Sequence, residues 1–93
     1  MTLQQTFTTK FKKDLKLMIK RGEKPNKIKK VTDLLAQNQN LPKKFKDHPL
    51  TGNFANRRDC HIEPDWILIY KKDEENKRII FERTGTHSDL FKK

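Results

Sequence analysis

The sequence predicts an α+β fold, a small, mainly antiparallel twisted sheet with an N-terminal helical hairpin packed on one face. Three observations predict it. Apolar residues recur with helical spacing in two early stretches, Phe11, Leu15, Met18, Ile19 and then Ile28, Val31, Leu34, Leu35. Residues 66–70 (WILIY) and 78–83 (RIIFER) are dense in strand formers and are joined by a polar connection, residues 73–76 (DEEN). Residues 3–8 (LQQTFT) are short and rich in Thr and read as an opening edge strand. The order is β-α-α-β-β-β with a short C-terminal helical turn. Two helices on one face is the economical way to close such a core, and it leaves the opposite face free.

Each element has a local cause. Thr9 can cap the first helix, and Gly22 stops it. Pro25 suits the first turn of the second helix, where its missing N–H is harmless. Its apolar stripe faces inward, so Lys27, Lys29 and Lys30 form a basic outer side. Residues 38–54 are punctuated by Pro42, Pro49 and Gly52 and read as a long surface loop carrying His48. From residue 58 to 63 the chain alternates with period two, which turns Cys60 and Ile62 inward and His61 outward. Pro64 and Asp65 make the turn into WILIY, which is apolar on both faces and therefore central. After residues 84–86 break the last strand, Ser88 can cap a final turn that contains Leu90 and Phe91.

Ninety-three residues suffice for one domain spanning 1–93. No apolar run is long enough to span a membrane, and the Lys-rich N-terminus lacks the apolar stretch of a signal peptide, so a soluble cytoplasmic protein is expected. A lone Cys60 makes no internal disulfide, in keeping with a reducing compartment. The formal net charge is +10 and unevenly spread. Residues 1–50 hold 13 Lys/Arg against 4 Asp/Glu, whereas residues 51–93 hold 9 against 8. The first half is thus a surface for a polyanion and the second a balanced site.

All three histidines lie in that second part or just before it. Strand ends joined by tight turns bring His61, Asp65, Trp66, Arg83 and His87 near one another, and the loop carrying His48 can fold over them. Imidazoles titrate near neutral pH and serve as proton acceptors and donors, and a guanidinium fits phosphate oxygens. Together these groups can cleave RNA without a metal, by removing a ribose 2′-hydroxyl proton, protonating the leaving 5′-oxygen and stabilising the phosphorane. Trp66 or Phe91 can stack on an unpaired base. A zinc site made of His48, His61, Asp65 and His87 is set aside, because no compact HxxxH or CxxC spacing exists and Cys60 points to the other face. No cofactor is expected. Singly, each residue has a structural explanation: His61 as a surface strand residue, Asp65 as a turn former, Trp66 as core, Arg83 as the partner of Glu82 or Asp65, His87 as a cap.

Three blocks carry a resemblance: residues 47–54 (DHPLTGNF), 58–71 (RDCHIEPDWILIYK) and 81–91 (FERTGTHSDLF). They resemble the YafQ branch of the RelE/ParE superfamily of bacterial toxins, and the element order agrees along the whole length. The resemblance implies a ribosome-dependent mRNA endonuclease that cuts A-site codons without a metal. It implies acid and base roles among His48, His61, Asp65 and His87, with His87 favoured as the acid, Arg83 stabilising phosphate charge, and Trp66 and Phe91 shaping the site. Ribosomal RNA would meet the basic helices through Lys27, Lys29 and Lys30. The expected partners are the ribosome and a DinJ-like antitoxin, through which the toxin–antitoxin complex would bind operator DNA. Phe54 stands where relatives often have Trp, and Asn56-Arg57 replaces a more aromatic lead into the strand. Two other readings are a non-catalytic ParE-like toxin and a plain basic RNA-binding domain.

Overall fold

A computed structural model describes residues 2–91. The elements run β1 (Gln4–Phe7), α1 (Thr9–Lys20), α2 (Pro25–Ala36), β2 (His48–Pro49), β3 (Arg58–Glu63), β4 (Trp66–Asp73), β5 (Arg78–Gly85) and α3 (His87–Leu90). They form one five-stranded sheet in the order β1-β5-β4-β3-β2. Three of its four pairings are antiparallel, and β1 alone runs parallel, alongside β5. The α+β expectation and the element order therefore hold, with one additional short strand.

That strand corrects the loop expected over 38–54. Lys43–Phe45 form a 3-10 turn, and His48–Pro49 pair with Asp59 and Arg58 of β3. Asp47, just before, accepts the Tyr70 hydroxyl at 2.5 Å and the Arg58 guanidinium at 3.2 and 3.4 Å. Buried tyrosine and half-exposed arginine together fix the backbone entering His48. A second 3-10 turn, Gly52–Phe54, then leads into β3.

Two caps differ from expectation by one or two residues. Thr8, not Thr9, caps α1: its Oγ1 accepts the Phe11 amide at 3.0 Å and donates to the Glu82 carbonyl at 2.8 Å, tying the helix start to β5. Thr86, not Ser88, caps α3, in a reciprocal box with Asp89. In both cases the capping side chain must lie one residue before the first helical residue, and the helix begins earlier than the pattern suggests. Gly22, at φ 104°, ends α1 in a conformation other residues adopt at a cost. Ile19 is a further correction, since it is 41% exposed. It stands roughly a fifth of a turn off the Phe11–Leu15–Met18 line that meets the sheet.

The main core lies between the hairpin and one face of the sheet. Trp66, Leu68 and Tyr70 of β4 meet Ile79 and Phe81 of β5, Cys60 and Ile62 of β3, and Phe11, Met18, Ile28, Val31 and Leu35 of the helices. The residues between, Ile67 and Ile69, point the other way and are fully buried under Leu50, Phe54, Leu90 and Phe91. The second face is thus partly covered by α3 and the segment around 50–54, rather than left free.

Candidate active site

Strand parity builds the floor of the site. Cys60 and Ile62 enter the main core, so Asp59 and His61 share the opposite face of β3. The β2–β3 ladder then sets His48 directly across from Asp59. On the far side, β5 ends at Gly85 and the capping box of Thr86 starts α3 with His87. Asp65, in the β3–β4 turn, accepts both the His87 backbone amide at 2.9 Å and its Nδ1 at 2.6 Å through one oxygen.

Three imidazoles consequently stand in a row. Ring centroids of His48 and His61 are 6.4 Å apart, and those of His61 and His87 5.4 Å. Phe91 continues the row, 6.3 Å from His87, with Phe54 edge-on to it at 5.7 Å. His48 and His87 are about half exposed, so both reach solvent from a fixed base.

Electrostatics differ at the two ends. The Asp65 carboxyl is held below the ordinary carboxylate range, first by the His87 main-chain amide and then by its ring. The Asp59 carboxyl is pushed up, chiefly by burial, against the pull of His48 and His61. Its Oδ1 lies 2.7 Å from His48 Nε2, an ion pair when that imidazole is protonated, yet the oxygen receives no hydrogen bond among the described residues. Burial likewise pushes up the Cys60 thiol, which faces the main core and is no nucleophile.

His48, His61, Asp65, His87 and Phe91 are brought together as expected. Trp66 is not. It is fully buried, and its Nε1 donates to Thr84 Oγ1 at 2.8 Å, so it is core and cannot stack on a base. Arg83 is turned toward α1, where Asp14 accepts Nε at 2.7 Å and Nη2 at 3.2 Å; the partner is neither Glu82 nor Asp65. It lines a groove of about 580 Å³ with Lys10, Phe54 and Arg57, while His61 borders a cleft of about 310 Å³ with Lys44 and Lys46. Lys27 pairs with Glu63 and Lys29 with Asp33 at 2.8 Å, leaving Lys30 exposed beside them. Asp59 was missed in the sequence, although parity puts it on the same face as His61.

The arrangement can take a proton at one end and deliver one at the other, with the Phe91 and Phe54 rings beside His87. By sequence and fold the chain is similar to known toxins. A family described as the bacterial toxin of type II toxin-antitoxin system, YafQ, matches residues 3–92. The mRNA interferase toxin YafQ of Escherichia coli strain K12 is 49% identical over 86 residues, covering 91% of each chain. YafQ in the crystal structure of the E. coli DinJ–YafQ toxin–antitoxin complex superposes with a TM-score of 0.88 at 46% identity, over 98% of this chain and 99% of that one. A metal-bound toxin from Helicobacter pylori superposes at 0.89 with 39% identity, over 96% and 99%.

Proposed function

Because the chain belongs to the YafQ family of bacterial type II toxins, we propose that it is a ribosome-dependent mRNA endonuclease cutting A-site codons, held inactive by a DinJ-like antitoxin. One observation carries the reading: three imidazoles in a row with neighbouring centroids 6.4 and 5.4 Å apart, one of them gripped by a carboxylate. A toxin that only bound a protein would have no use for them.

In this mechanism an imidazole of the His48–His61 pair removes the proton from the ribose 2′-hydroxyl, which attacks the adjacent phosphorus. His87, oriented by Asp65, protonates the departing 5′-oxygen. Arg83 exchanges Asp14 for a phosphate oxygen, and Phe91, backed by Phe54, stacks on the base next to the cut. No metal takes part. The cleaved strand ends in a 2′,3′-cyclic phosphate, because the nucleophile belongs to the substrate. Lys27, Lys29 and Lys30, with the lysines of α1, meet ribosomal RNA, and the antitoxin carries the complex to operator DNA.

The test is His87→Ala, in which the Asp65 contact to the main-chain amide survives. Expected is loss of mRNA cleavage and of growth arrest, with ribosome binding retained. Undiminished cleavage by this variant, or 3′-hydroxyl product ends from the parent chain, would overturn the mechanism.

A further inference from the structure

His48, Asp59 and His61 each present one ligand atom to a common point, and these atoms all lie within 4.8 Å of one another. Two imidazole nitrogens and a carboxylate oxygen suit zinc and other late transition metals; magnesium prefers oxygen and water. Asp59 is the decisive member. Its side chain is 4% exposed, and Oδ1 has no hydrogen bond among the described residues. The nearest group to that oxygen is His48 Nε2, at 2.7 Å but outside hydrogen-bond geometry, and a cation shared by the two would satisfy both the buried carboxylate and the imidazole lone pair.

The frame is rigid where it must be and free where it must move. Asp59 and His61 are two residues apart on one strand and so share a face. His48 is held across from Asp59 by the β2–β3 ladder, while its half-exposed ring can turn. Tetrahedral ligands about 2.0–2.2 Å from zinc stand roughly 3.4 Å apart. Shifts of about 1 Å, well within a rotamer adjustment, bring the three atoms to that spacing.

We propose that His48, Asp59 and His61 form a three-ligand zinc site, open to solvent at the fourth position, and that filling it switches the chain off. The switching rests on the acid–base reading above. A metal-bound imidazole nitrogen has committed the lone pair that would accept the 2′-hydroxyl proton, so zinc removes the base end of the row and spares His87.

Zinc titration of the full chain by calorimetry, with cobalt(II) as a visible-absorption probe, tests the site. Expected are one equivalent bound, no response to magnesium, and at least a tenfold weaker affinity in both Asp59→Asn and His48→Gln. The second variant alters an exposed ring and keeps the test valid if the first fails to fold. Absent zinc binding, or parental affinity in the variants, would overturn the site. In the cleavage assay one equivalent of zinc should abolish cutting and a chelator restore it; unchanged or stimulated cutting overturns the switch. If the metal-free chain never cuts mRNA, the endonuclease reading fails, while calorimetry still decides the site.

Discussion

One oxygen of Asp65 holds His87 twice, accepting its backbone amide at 2.9 Å and standing 2.6 Å from its Nδ1. Main chain and ring are thereby fixed to the same point, and Nε2 is left facing away. Asp65→Asn should slow cleavage about ten- to a hundredfold, the scale of a misplaced catalytic group, with ribosome affinity unchanged. Single-turnover kinetics would expose an error here if the rate stayed at the parental value.

The same contact has a titration signature. Asp65 should titrate below the ordinary value of about 3.9, so its contribution to stability is complete above that pH and disappears as pH falls through the lower folded value. In His87→Ala the value should rise only part of the way, because the main-chain amide, the larger cause, remains. Carboxyl-detected NMR of the two chains reads this directly; identical curves would mean the ring contributes nothing.

Trp66 separates a core role from a substrate role. Its indole donates to Thr84 Oγ1 at 2.8 Å, and that hydroxyl donates on to the Ile67 carbonyl at 2.8 Å. Trp66→Phe should cost about 1–2 kcal/mol in denaturant unfolding, for one buried hydrogen bond and a small volume, and Trp66→Ala about 3–5 kcal/mol. Cleavage per folded Trp66→Phe molecule should match the parent. A selective loss of cleavage in a stable Trp66→Phe chain would restore Trp66 to the substrate.

What the sequence revealed and what it hid follow from distance along the chain. Pro25, Gly22 and the alternation of Cys60 and Ile62 against His61 are local signals, and the structure follows them. Trp66 was ambiguous because β4 is apolar on both faces, so periodicity alone does not say which face holds its first residue. A two-residue strand such as β2 has no periodicity to read; only its pairing with Arg58 and Asp59 defines it. Asp59 escaped for the opposite reason, since a carboxylate in a strand suggests solvent until His48 is seen across from it. The three imidazoles were legible as a group because tight turns leave strand ends few places to go.

Arg83 and Asp14, 69 residues apart, could not be paired from sequence. Asp14 also accepts the Thr84 amide at 3.2 Å, so it ties α1 to the end of β5. Asp14→Ala and Arg83→Ala should each destabilise by about 1–3 kcal/mol, and the double variant by less than the sum, with a coupling of roughly 0.5–3 kcal/mol. Cleavage should part company with stability: Asp14→Ala frees the guanidinium and keeps activity, whereas Arg83→Ala loses about tenfold or more. Equal activity in the two would reduce Arg83 to a structural tie.

The basic hairpin divides unequally. On α2, Lys27 is bound to Glu63 and Lys29 to Asp33, so a polyanion must displace those partners first. On α1, Lys12, Lys13, Lys16 and Lys20 are all exposed, and the helix's one acid, Asp14, is taken by Arg83. Counterion release scales with the phosphates neutralised, so the freer helix should dominate. Replacing Lys12, Lys13 and Lys16 with Glu should weaken ribosome association more, and flatten its dependence on salt more, than replacing Lys27, Lys29 and Lys30. In the α2 variant the change should be smaller, since two of its three lysines are already paired with carboxylates and contribute less to a polyanion contact. Binding measured across a salt series ranks the two faces, and a steeper loss from the α2 triplet would reverse the assignment.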